Sequence, residues 1–194
     1  MKKIYLIRHG ETAWTLSGQH TGTTDIPLTE NGKKQAYLLA QKLKNLKFQS
    51  ILVSPRRRAR ETCTIAGMAD QAVEDPNLVE WNYGKYEGIT SKEIHQNHPK
   101  WNIFLHGAPD GESVQDIQHR TRQVLETCAK IQGNIALFSH GHFLRALAAN
   151  FIELSIAEGR HLSLLPGSIS ILAFEKDIPA LFLWNDISHL TNSF

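Results

Sequence analysis

Apolar runs of strand length alternate here with segments of helical period, and that alternation restricts the chain most, because buried strands joined through helices fit few architectures. Residues 3 to 7, 50 to 53 and 134 to 138 are such runs. Between the first two, Ala36, Leu39, Ala40 and Leu43 keep the i, i+3, i+4, i+7 spacing of one helix face behind an N-cap at Thr29. Ser54-Pro55 predicts a second helix to about Gly67, with serine as N-cap and proline at the first helical position. A long helix over about 113–131 presents Val114, Ile117, Thr121, Val124, Leu125 and Cys128 on one face. Another, carrying Phe143, Leu144, Leu147, Ala148 and Phe151, follows the run at 134–138. Residues 168–174 and 180–184 predict a closing antiparallel pair, joined by Lys176-Asp177-Ile178-Pro179. The stretch from about Val73 to Gly111 reads as irregular, interrupted by a short helix begun by the Thr90-x-x-Glu93 capping box. The expected fold class is α/β, a three-layer sandwich with a mostly parallel central sheet flanked by helices.

A chain of 194 residues suits a single domain, 1–194, with an insertion at about 81–111. Its 21 basic and 19 acidic residues leave a formal charge of +2, so no global field points to nucleic acid or to an anionic membrane. Cys63 and Cys128 fall on apolar helix faces and read as small buried side chains in a reducing cytosol. Met1-Lys2-Lys3 precedes an apolar stretch too short for a signal peptide, and no run approaches membrane-spanning length. A cytoplasmic protein acting on a small molecule is the expectation.

Each of the three strand runs ends in polar residues suited to an anion: Arg8-His9-Gly10, Ser54-Pro55-Arg56-Arg57-Arg58 and Ser139-His140-Gly141-His142. In an open parallel sheet the carboxyl ends of the strands share one edge, so the three segments can converge. A cation and an imidazole side by side, with Gly10 letting backbone approach a ligand, suit phosphoryl chemistry. The arginine run is equally a solvated helix start. Successive helical residues turn by about 100°, which puts Arg56 and Arg60 on one side and Arg57 and Arg58 elsewhere, so one or two at most reach a common pocket. His140 and His142 lack cysteine or acidic companions at ligand spacing, and no metal is expected. His140, at the strand tip, is the better placed of the two to act on a ligand. His95, His98, His106, His119 and His161 read as surface residues. Glu80, after the apolar pair Leu78-Val79, is either a surface carboxylate or a general acid.

Taken together the motifs are Leu6-Ile7-Arg8-His9-Gly10-Glu11-Thr12-x-Trp14, Thr21-Gly22-x-x-Asp25-x-Pro27-Leu28-Thr29-x-x-Gly32 and Ser54-Pro55-x-x-Arg58-Ala59-x-x-Thr62. Leu78-x-Glu80-x-x-Tyr83-Gly84-x-x-Glu87-Gly88, Gly111-Glu112-Ser113 and Ser139-His140-Gly141 complete the set. In this order they resemble the histidine phosphatase superfamily, which contains the cofactor-dependent phosphoglycerate mutases and many phosphatases. The resemblance implies a phosphoglycerate mutase-like fold. It makes His9 the nucleophile, Arg8, Arg58 and His140 the phosphate pocket, and Glu80 the proton donor. Thr15, Thr21, Gly22, Tyr83 and Gly141 become substrate-binding positions, without metal or other cofactor. A protonated His140 would add one more positive donor. Thr15 stands where many relatives carry an asparagine, and its hydroxyl can still donate one hydrogen bond. Trp81, Tyr83, Tyr86 and Trp101 are the expected pocket walls.

The run Glu80-Trp81-Asn82-Tyr83-Gly84-Lys85-Tyr86-Glu87-Gly88-Ile89-Thr90 is similar to the sedoheptulose-1,7-bisphosphatase type of sugar phosphatase. That implies hydrolysis of small sugar phosphates through a phosphohistidine. Two alternatives stand beside it. A mutase would return the phosphoryl group to substrate, but mutases of this family carry a longer insertion after the acid and a longer C-terminal tail, whereas 30 residues separate Glu80 from Gly111 and the chain stops at Phe194. A non-catalytic binding module would have no use for the intact His9, Glu80 and arginines.

Overall fold

In β1 (Lys3–Arg8) the side chains alternate between two cores, as the two-residue period of a strand demands. Ile4 and Leu6 face one way with Ile135 and Leu137 of β4 (Ile135–Ser139), and Tyr5 and Ile7 face the other way with Ala136 and Phe138. The computed structural model describes residues 2–191, so Met1 and Phe194, on which the expectations about the two chain ends rest, lie outside it. Six strands form one sheet in the order β3-β2-β4-β1-β5-β6. β2 (Ser50–Val53) runs parallel to β4 and to β3 (Ala72–Glu74), and β4 runs parallel to β1. β5 (Ile169–Glu175) and β6 (Ile178–Asp186) add an antiparallel pair beside β1.

Helices cover both faces, giving the three layers. One face packs α2 (Glu30–Leu43) and α3 (Arg57–Ile65) through Leu39, Leu43, Ala59 and Cys63. The other packs α6 (Val114–Lys130) and α7 (Gly141–Phe151) through Val124, Cys128, Phe143, Leu144 and Leu147. The short α1 (Ala13–Ser17), α4 (Ser91–Asn97) and α5 (Ile103–His106) lie in the connections, and α8 (Ser188–Thr191) follows β6. Trp81, Tyr83, Ile103, Phe104, Ile117, Ala146 and Ile156 form a third core beneath the 81–111 segment. Thr29 and Thr90 cap α2 and α4 with their hydroxyls, as their motifs predict, and Ser113 caps α6 in the same way. Both cysteines are buried and free, and burial pushes each thiol up to about 12. Among the described residues no helix is long and apolar enough to cross a membrane.

Three local expectations need correction. β3 falls inside what reads as irregular chain, because three residues at a sheet edge, with Val73 61% exposed, leave no apolar run. α3 starts at Arg57 rather than at Ser54-Pro55; the Ser54 hydroxyl oxygen accepts the Arg56 N–H at 3.3 Å and lies 2.7 Å from His140 Nε2. The closing hairpin turns on Lys176-Asp177 alone, both at positive φ (49° and 70°), the twist a two-residue hairpin favours. Ile178 and Pro179 belong to β6, where an edge position tolerates a proline.

Candidate active site

The carboxyl ends of β1 and β4 are adjacent in the sheet, and His9 and His140, each just past its strand, bring their rings to 5.2 Å. His9 is 4% exposed, and its Nδ1 lies 2.7 Å from the Gly10 carbonyl. A carbonyl only accepts, so Nδ1 carries the proton and Nε2 keeps its lone pair. Burial, then the charges of Arg58 and Arg8, hold this imidazole well below its ordinary range, and it is neutral. Gly10 serves a different purpose from the one its place in the motif suggests. A Cβ there would sit 2.5 Å from the Gly32 carbonyl, so the glycine lets the loop pass against α2 rather than against a ligand.

Next to His9, the Arg8 guanidinium donates to the Leu164 carbonyl, and its buried Nε has no partner. Gly141 makes room for it: a Cβ at 141 would lie 3.0 Å from Arg8 Cζ. Glu80 follows a one-turn 3₁₀ helix (Pro76–Leu78) and is aimed at the start of α7. Its Oε1 accepts the Trp81 and Phe143 N–H groups at 2.9 and 2.8 Å, and its Oε2 accepts the His142 N–H at 2.9 Å. An acid at a helix N-terminus is favoured by the dipole and by these unsatisfied donors.

These groups wall a cavity of about 230 Å³. Of the residues singled out in the sequence, Arg8, His9, Thr15, Thr21, Glu80, Tyr83 and Gly141 line it, and Arg58, His140 and Gly22 do not. Of the arginine run, Arg58 alone is fully buried, yet four of its hydrogen bonds go to the protein: Nη1 to Thr24 O, Nη2 to Thr21 O and Gly22 O, and Nε to His140 Nδ1 at 3.1 Å. An Nδ1 that accepts from a guanidinium is unprotonated. With burial and Arg58 also lowering its affinity for protons, His140 is neutral and stands behind His9, not a positive donor in the cavity. The Gly22 N–H goes to the Glu87 carboxylate at 3.0 Å, and a Cβ at 22 would meet Trp81 O at 2.4 Å, so this glycine joins the loop to the 81–111 segment. Thr15 lines the cavity, but its hydroxyl donates its proton to Thr12 O, 2.8 Å away, and accepts the Thr12 N–H at 2.8 Å, which closes the capping box of α1.

His142, set aside in favour of His140, lines the cavity, as do Arg145, His20, Gln19, Trp14 and Ser91. His142 and Arg145 are three apart on α7 and share a face, a signal that the helix start at Gly141 makes legible. His20 stacks on Tyr83 at 4.7 Å, and the Tyr83 hydroxyl meets His142 Nδ1. Burial keeps both imidazoles neutral, with His20 lowered to about 4. His20 has no local signal, since chain folding alone brings it to Tyr83. Of the other expected walls, Trp81 is fully buried in the third core, and Tyr86 and Trp101 line a neighbouring open groove.

Residues 4–187 match the histidine phosphatase superfamily, branch 1. The chain is 37% identical to an acid phosphatase of Mycobacterium tuberculosis over 92% of its own length and 90% of that protein's. It is 33% identical to the sedoheptulose 1,7-bisphosphatase of Saccharomyces cerevisiae, over 79% of this chain and 69% of that one. The solved structure of a Mycobacterium tuberculosis open reading frame superposes with a TM-score of 0.91 at 36% identity, covering 95% of this chain and 97% of that chain.

Proposed function

Because the chain belongs to the histidine phosphatase superfamily, we propose that it hydrolyses phosphomonoesters of small sugars or related metabolites through a phosphohistidine at His9. What carries this is the state of His9: a neutral ring whose proton is parked on Nδ1, beside the unpartnered Arg8 Nε and in one cavity with the Glu80 carboxyl. In the first step Nε2 attacks phosphorus, the P–O bond to the leaving alcohol breaks, and Glu80 gives its proton to the departing alkoxide. In the second, water attacks the phosphohistidine, the P–N bond breaks, and Glu80 takes the proton from water. Arg8 offers its guanidinium to the phosphoryl oxygens. Arg58 acts from behind: its charge keeps His9 unprotonated, and its donors hold His140 and the 21–24 loop.

The neutral donors and acceptors His20, His142, Tyr83, Gln19 and Ser91 suit the hydroxyls of a polyol, and a cavity this size suits a metabolite better than a phosphoprotein. Residues 1–194 act as one domain, with 81–111 as a substrate-facing insertion, and the two buried thiols fit a reducing cytoplasm. The test is a screen of phosphorylated metabolites for phosphate release, joined to an acid quench that traps acid-labile phosphate on the protein. His9→Ala abolishes both signals. Turnover by that variant at the wild-type rate overturns the assignment.

A further inference from the structure

Glu80 works only if its carboxyl points into the cavity, and the segment that carries it has little backbone support of its own. The carbonyls of four consecutive residues, Asn77 to Glu80, are received by side chains. Ser139 donates to Leu78 O at 2.6 Å, and Arg120 donates to Asn77 O at 2.9 Å, to Val79 O and to Glu80 O at 3.3 Å. Arg120, on α6 and 9% exposed, thus does for this segment what a neighbouring strand would do. The same guanidinium lies 4.5 Å from the ring centre of Phe143, whose N–H holds Glu80 Oε1. It therefore touches both the chain that presents the carboxyl and the residue that receives it.

Glu112 completes the arrangement. Its two carboxylate oxygens take Arg120 Nε and Nη2 at 2.9 and 2.8 Å in a two-point fork, and Oε2 also accepts the Asn82 N–H at 2.8 Å. Its own backbone N–H donates to Asn82 O, and its carbonyl accepts the Trp81 indole N–H. The Gly111-Glu112-Ser113 motif, which the chemistry at His9 leaves unused, thereby grips the chain on the far side of Glu80. We propose that the Glu112–Arg120 pair is a positioning device that aims the Glu80 carboxyl at the leaving group. The proposal rests on the role assigned to Glu80 above.

The leaving group provides the test, since nitrophenolate departs without a proton whereas an alkoxide needs one. Glu112→Gln keeps shape but spoils the fork. We expect kcat/KM on an alkyl phosphate such as glycerol phosphate, which reports the leaving-group step alone, to fall on the order of 10²-fold, as for a displaced catalytic group, with kcat/KM on p-nitrophenyl phosphate nearly unchanged. In a Glu80→Gln background the same change has no further effect on the alkyl substrate. Arg120→Lys, which keeps the charge and loses the planar fork, gives a smaller loss of the same selectivity, and serves as the comparison if Glu112→Gln does not fold. Equal losses on both substrates, or losses that add to those of Glu80→Gln, overturn the proposal. If Glu80→Gln itself fails to separate the two substrates, Glu80 is not the proton donor, and the positioning role falls with it.

Discussion

A single imidazole sets the chemistry, and its protonation state is decided by neighbours rather than by its own nature. Burial and the charges of Arg58 and Arg8 all disfavour the imidazolium of His9, so the nucleophile stays active below the ordinary histidine range near 6.5. A histidine with that ordinary value would lose roughly tenfold of its reactive form by about pH 5.5. The expected profile of kcat/KM therefore has no acid limb centred near 6.5. A limb there, in a pH–rate measurement, means that His9 titrates as if exposed. The pairing of Arg8 with His9 is legible from adjacent letters. The sparing of the His9 Nε2 lone pair is not, since it follows from one contact to the Gly10 carbonyl.

Helix α7 gathers more of the site than any other element. Its first N–H groups hold Glu80, its first residue makes room for Arg8, and its half-buried His142 and Arg145 face the cavity. Gly141→Ala should split stability from activity. Alanine removes unfolded-state freedom worth about 0.4–1 kcal/mol, offsetting the cost of shifting the guanidinium, so the thermal midpoint holds. The new Cβ nevertheless displaces Arg8, and kcat/KM falls on the order of 10²-fold. Steady-state kinetics and a thermal melt on the same preparation check both halves. Periodicity exposed α2, α6 and α7 in the sequence because each buries a stripe of apolar residues. It missed the start of α3, which begins at Arg57, three residues beyond the serine expected to cap it.

Across the whole molecule, His9, His20, His140 and His142 are buried and neutral, with proton affinities below those of the unfolded chain. Unfolding below pH 6.5 lets these imidazoles bind protons that the fold refuses, so stability is complete above that value and declines as pH falls. For His20 the window runs from 6.5 down to about 4. Each such imidazole contributes up to about 1.4 kcal/mol per pH unit inside its window. Urea melts at pH 7, 6 and 5 should show a steadily falling midpoint, and a constant midpoint excludes neutral burial of the four. Local chemistry wrote five of the six described strands, the long helices, their order and the polar segments at the strand ends, because apolar period, caps and turn residues act over a few positions. Which residues of those segments line the cavity was decided in three dimensions. His142 faces the cavity and His140 stands behind His9, the Arg58 donors are taken by carbonyls 34 to 37 residues away, and Arg120 reaches Glu80 across 40 positions. Such choices depend on how far each loop travels before its helix begins and on which distant carbonyl lies within reach, and neither is written in neighbouring residues.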